Sequence, residues 1–253
     1  MSVATLLLSD SRFPAGGHAH SGGVEPAVTA GGVSDLGSLE LFLRGRLRTA
    51  GLVAAGLAAA ACARARSTAS AETHDFWGEI DAEADARTPS RAQREASRRQ
   101  GRALLRAARV AWPEDQGLAG LAASGATAVR AAGRADAAVA GGGAIAEYRG
   151  GPHHAVVLGA AAAAAGCDAA DAARIAAYQS VAGAASAAVR LLALDPMLAT
   201  AVLARLTGDV DQIAERAAAA ADGPLEELPC PSAPALDLLA EAHVRAEVRL
   251  FES

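Results

Sequence analysis

The side chains that could do chemistry fall into a few small groups. His18 and His20 flank Ala19, and His153 and His154 form a second pair. Two imidazoles so placed can touch a transition metal, but a stable site needs three or four ligands in a fixed geometry. No carboxylate or cysteine stands at ligand spacing beside either pair. The expectation is therefore no stable metal site, and at most a transient metal contact at His18 and His20. The glycine pairs Gly16-Gly17 and Gly22-Gly23 could cradle a phosphate. However, neither GxxxxGK[ST] nor a strand-flanked GxGxxG is present, and the chain has no lysine. No GxSxG marks a nucleophile. Nucleotide binding and covalent catalysis are not expected, and the glycines read as a shaped loop.

Arginine offers another chemistry. At 100° per residue Arg91, Arg94, Arg98, Arg102 and Arg109 lie within about 80° of one another, with Ala96, Ala103, Ala107 and Val110 opposite. Such a stripe could meet phosphate or an acidic protein surface, or be a solvated helix face. Near the C-terminus Leu236, Leu239, Ala240, His243, Glu247 and Leu250 share a face, and His243 and Glu247 are i,i+4 neighbours. Two polar groups in an apolar stripe imply a satisfied core pair or a face that meets a partner. With no catalytic constellation, the residues favour a binding or scaffolding role.

The elements that must position these groups are helical. Of 253 residues 52% are hydrophobic but only 3% aromatic, and alanine makes up the difference. Alanine favours helix and disfavours strand. The expectation is an all-α, bundle-like single domain over residues 1–253, of about eight to ten helices. Helices are expected at Val3–Ser9, from Ser34 or Asp35 as N-cap past Leu52, from near Thr88-Pro89-Ser90, with the proline in its first turn, to Trp112, from His153 to Ala165, and from Asp168 to Leu194. Further helices follow at Met197–Leu206, at Asp209–Ala221 and from Pro234 into the tail. Ser180, Gly183, Ala184 and Ala187 make a small-residue face, which points to the Asp168 helix as the central buried one. Residues 114–151, rich in Gly and Ala, read as a flexible connection with at most one weak helix.

A net charge of −5 argues against a nucleic-acid partner. Three scattered cysteines without CxxC suit a cytoplasmic chain. No basic leader precedes Leu6-Leu7-Leu8, and the longest apolar runs, Leu52–Ala63 and Ala155–Cys167, are short for a membrane span.

These pieces resemble one family. The opening LLLSDSRFPAGGHAHSGGVEPAV is similar to the signature of the urease accessory protein F (UreF) family, carried here by Asp10, Pro14, Gly16, Gly17, His20, Ser21, Gly22, Gly23 and Glu25. REASRRQGRALL, HHAVVLGAAAAAAG and SAAVRLLALDP resemble its middle helices more weakly. The ending AEAHVRAEVRLFES resembles its closing pattern, carried by His243, Arg249, Leu250, Phe251 and Ser253. His18 stands where members often have an apolar residue.

The resemblance implies an all-α accessory protein that is not itself an enzyme. It would join a second accessory protein, called D or H, and with it bind the urease GTPase accessory protein and apo-urease. It would thereby assist nickel delivery and lysine carbamylation, as a homodimer in several members. Nickel would transit the complex, with no tightly bound cofactor. Residues 249–253 would be a docking tail, with Leu250 and Phe251 as anchors, Arg249 pairing with a carboxylate, and His243 and Glu247 at the same surface. Arg91, Arg94, Arg98 and Arg102 would face the GTPase. The loop from Asp10 to Glu25 would be structural, or would present His20 to a partner or to passing nickel. The alternative is a nickel-binding metallochaperone that uses its histidines directly.

Overall fold

Helix starts follow caps written in the sequence. A computed structural model describes residues 3–10, 12–14, 17–67, 73–124 and 151–251. Asp35 accepts the Ser38 N–H at 2.7 Å, and the Ser38 hydroxyl accepts the Asp35 N–H at 3.0 Å. This reciprocal box satisfies two otherwise orphaned donors and starts α3 (Leu36–Arg46). Ser90 caps α6 (Arg91–Ala111) by accepting the Gln93 N–H, and Asp168 caps α9 (Ala169–Leu192) by accepting the Asp171 N–H. The remaining helices are α1 (Val3–Ser9), α2 (Val24–Thr29), α4 (Leu52–Ser67), α5 (Thr73–Ala86), α7 (residues 116–124), α8 (His154–Ala164), α10 (Pro196–Arg205), α11 (Thr207–Ala219) and α12 (Pro234–Val244). Helix makes up 76% and strands are absent among the described residues, so the all-α, single-domain expectation holds.

The centre is the crossing of α4 with α8. Ala155 to Ala162 of α8 are all buried, as are Ala55 to Cys62 of α4. A helix apolar on every side must be covered on every side. Small residues set how closely these two approach: a Cβ on Gly159 would lie 2.3 Å from the Ala58 carbonyl oxygen and 2.6 Å from the Ala61 Cβ. α9 and α11 cover other sides of α4, and α6 covers α8. The Asp168 helix is central as well, as expected: α9 packs against α1, α2, α3, α4, α8, α10 and α11. In α9, Ala184 and Ala187 are buried, but Gly183 meets nothing within 4 Å. Its small face borders a cavity at Gly183, while Ser180 sits against the π-turn, 2.7 Å from where a Cβ on Gly51 would lie.

Leu47–Gly51 is a π-turn joining α3 to α4 without a break. The joined helix and α9 are each long and apolar enough to cross a membrane by length and composition, which the shorter uninterrupted runs did not show. Here they serve as core helices, with 67% and 44% of those windows buried.

Two departures concern the middle of the chain. α5, too polar to declare itself, contributes the fully buried Trp77 and Ile80. α7 lies in the expected flexible connection, yet it buries Leu118 and Leu121, whose i,i+3 spacing puts them on one face. The rest of that connection, residues 125–150, lies outside the described residues.

Candidate functional site

The chain end is clamped onto the N-terminal glycine loop. Gly22 (φ +61°) and Gly23 (φ +87°) turn the backbone into α2 through a conformation that side chains with a Cβ rarely adopt. The turn places Glu25 in the first turn of α2 with its side chain buried. The Glu25 carboxylate accepts the Leu250 N–H at 2.7 Å and the Phe251 N–H at 2.9 Å. His243, buried on α12, has Nε2 3.1 Å from the Phe251 carbonyl oxygen and 3.4 Å from Glu25. A carbonyl can only accept, so Nε2 carries the proton. The Phe251 ring is 6% exposed and lies under the Arg190 guanidinium, 4.2 Å from its centroid.

Several expectations about the tail change accordingly. α12 ends at Val244, so Glu247 is not on the next helical turn. It is exposed, and the partner of His243 is Glu25, far away in sequence. Phe251 inserts into its own chain rather than pointing outward. Leu250 remains 74% exposed and Val248 84% exposed, and Arg249 is exposed beside them. Ser253 lies outside the described residues.

Beneath the glycine loop lie two adjoining cavities of about 400 and 270 Å³. Both are lined by His20, Gly22, Arg46, Gln100 and His154. Burial pulls the His154 imidazole down to about 4, and nearby His20 adds to the effect. The folded chain thus binds this proton less readily than the unfolded chain, for which 6.5 is the ordinary value. The stabilisation is complete above pH 6.5 and is lost as pH falls towards 4. A shift of this size corresponds to about 3 kcal/mol, and residual hydration in a cavity lowers it to about 2 kcal/mol. Urea unfolding of the parent chain is expected to weaken by that much between about pH 7 and pH 4.5, while His154→Phe flattens the dependence. Equal pH dependence in both proteins would remove His154 as its source.

His153 has a different surrounding. Its Nδ1 lies 3.0 Å from Ser97 Oγ and its Nε2 2.9 Å from Asp85. Its backbone N–H donates to Asp81 at 2.8 Å. Arg98 bridges the same two carboxylates, at 2.8 Å from Asp81 and 2.7 Å from Asp85, and donates to the Gly151 carbonyl. Burial alone would raise the Asp85 pKa, but His153 and Arg98 together hold it below the usual carboxylate range. Ser97, His153 and Asp85 thus form a serine–histidine–acid line. Ser97 sits mid-helix and also accepts the His154 N–H at 3.2 Å. The group ties α5, α6 and the start of α8 together.

This corrects the outward arginine stripe. The Arg98 side chain is only 19% exposed. Arg94 donates to the Thr88 and Pro89 carbonyls, and Arg91 pairs with Glu95 but is 68% exposed. Arg102 is half-buried, and Val110, expected on the opposite face, is 83% exposed. Arg98 turns towards α5 because α5 carries two carboxylates one helical turn apart.

Comparison with known proteins decides the family. A family profile described as UreF matches residues 33–207. Urease accessory protein UreF of Mycolicibacterium vanbaalenii is 43% identical over 100% of this chain and 99% of its own length. The protein of the same name from Mycobacterium marinum is 41% identical over 98% and 97%, and that from Mycobacterium tuberculosis H37Rv is 40% identical over 100% and 99%. The chain belongs to the UreF family.

In this UreF family member the glycine loop and the tail lie outside the profile match, within the span covered by the full-length relatives. Of the loop residues, Asp10 is bound by Arg12 at 2.9 Å, which lowers its pKa, and Pro14 is exposed. Gly17 opens a 3₁₀ turn that carries His20 to the cavities. Ser21 is fully buried, and its hydroxyl has no hydrogen-bond partner among the described residues. Gly16 and the His18 side chain lie outside the described residues. No three His, Cys, Asp or Glu side chains gather as a ligand set among the described residues. Burial pushes the Cys62 thiol up to about 12, so it stays protonated at neutral pH.

Ser97, Gln100 and Arg190 lie within the segments that resemble the family's middle helices, but nothing singles them out there, and Asp81 and Asp85 carry no sequence signal. Arg46 is one of three alternating arginines with Arg44 and Arg48, and nothing in the sequence singles it out.

Proposed function

We propose that this chain is a non-enzymatic accessory protein of urease maturation. In this reading it joins the D/H accessory protein, recruits and regulates the urease GTPase, and assists nickel delivery to apo-urease in the cytoplasm. Nickel is cargo here, not a resident cofactor, and the working form is a homodimer. The observation that carries the reading is full-length likeness to proteins named urease accessory protein UreF.

The geometry supports it with a docking element. The clamped tail holds Leu250, Val248 and Arg249 outward on a fixed backbone, and a preorganised anchor loses less entropy on binding than a free one. This changes the docking hypothesis in one respect: Leu250 is the outward anchor and Phe251 the inward one. Of Arg91, Arg94, Arg98 and Arg102, Arg91 is the most exposed and the best placed to meet the GTPase.

The test is urease activity in cells that express urease and its other accessory proteins. Omitting this chain is expected to abolish nickel-dependent activity, adding it back to restore it, and Leu250→Asp to reduce the rescue. Full activity without the chain would refute the proposal. Tight nickel binding by the isolated chain, abolished in a His18→Ala/His20→Ala variant, would instead favour the metallochaperone reading.

A further inference from the structure

The geometry points to an anion site in the paired cavities, in which the Arg46 guanidinium receives a small carboxylate. Arg46 ends α3 and enters the space shared by both cavities. Its Nε donates to the Ser180 carbonyl at 2.9 Å. Among the described residues no carboxylate lies within ion-pair distance of it. The acids that line the cavities are already engaged: Asp10, on the rim of the larger, by Arg12, and Asp237, on the smaller, by the Ser90 backbone N–H. Burial lowers the Arg46 pKa to about 10, so the side chain is still a cation at neutral pH.

An uncompensated cation in a partly desolvated cavity is unfavourable, and a counter-ion relieves it. With Nε held by Ser180, the terminal nitrogens remain to face a ligand, and a guanidinium fork matches the two oxygens of a carboxylate. The loop makes room for this arrangement. A Cβ on Gly22 would lie 3.2 Å from the Arg46 Cζ and 3.3 Å from its terminal nitrogen. Gln100 contributes an amide to both cavities, and Arg190 lines the larger one. His154, neutral above its lowered pKa, adds hydrogen bonding without charge. The second glycine pair of the loop therefore admits a charged side chain as well as turning the backbone. The site does not depend on the urease reading.

The experiment uses the full chain with sodium acetate as probe and chloride at matched ionic strength as reference. Carbon-13 saturation transfer from the protein to labelled acetate is expected to saturate. The unfolding temperature is expected to rise by roughly 5 °C near saturation. Arg46→Gln, checked for helicity by circular dichroism, is expected to abolish both signals. If that variant does not fold, Gln100→Leu takes its place and is expected to weaken the transfer several-fold. Absence of saturable transfer in the parent chain overturns the site, as does full retention in folded Arg46→Gln. Binding of inorganic phosphate but not acetate overturns the carboxylate assignment.

Discussion

Replacing Glu25 with alanine is expected to release the last turn of the chain and to weaken docking of the D/H partner. The carboxylate is the acceptor for both the Leu250 and the Phe251 N–H groups, and His243 lies against it. Hydrogen bonds to a charged group contribute about 1.5–3 kcal/mol each, so losing this acceptor favours opening by about 3 kcal/mol or more. Amide exchange at Leu250 and Phe251 should then accelerate roughly a hundredfold. Partner affinity should fall by about tenfold or more, because Leu250 is no longer held in place. Glu25→Gln keeps one side-chain carbonyl acceptor and should fall between. Unchanged exchange in Glu25→Ala would show that Phe251 and Arg190 hold the tail without the carboxylate.

Gly159→Ala is expected to destabilise the fold by about 3 kcal/mol, a large effect for one methyl group. The added Cβ meets backbone atoms of α4, the Ala58 oxygen at 2.3 Å and the Cys62 nitrogen at 3.0 Å, which cannot rotate away. The two central helices must separate, and overpacking a close-packed core is most costly when backbone has to shift. Gly183→Ala is the matched control. It lies within α9 with nothing inside 4 Å. Alanine there should stabilise by about 0.5–1 kcal/mol through helix propensity. Urea unfolding of both variants checks the pair. Equal effects would mean that the α4–α8 crossing is looser than its geometry.

The contrast between these glycines shows what the sequence could and could not reveal. Both stand in Ala-rich helical stretches, and local composition does not tell which faces a neighbouring backbone. Helix starts were legible to within a residue or two because Asp35, Ser90 and Asp168 act within three residues of themselves; Asp168 stands out alone, Asp35 shares its place with Ser34, and Pro89 draws the next start earlier than Ser90 sets it. The tail motif was visible as residue types, and Glu25, His243, Leu250 and Phe251 all stand out in the sequence. Their arrangement does not, since Glu25 and Phe251 are 226 residues apart. The i,i+4 rule offered Glu247 to His243, but it holds only while the helix continues, and α12 stops at Val244. Likewise the arginine wheel gave a shared face without the carboxylates of α5 that draw Arg98 inward.

The central claim is that this chain acts by joining other maturation proteins. The most direct measurement is co-expression with the D/H accessory protein and the accessory GTPase, followed by size-exclusion chromatography with light scattering. A stable complex containing all three proteins, lost on deletion of Leu250 to Ser253, is the predicted result. A folded, helical chain that elutes apart from both partners would contradict the account.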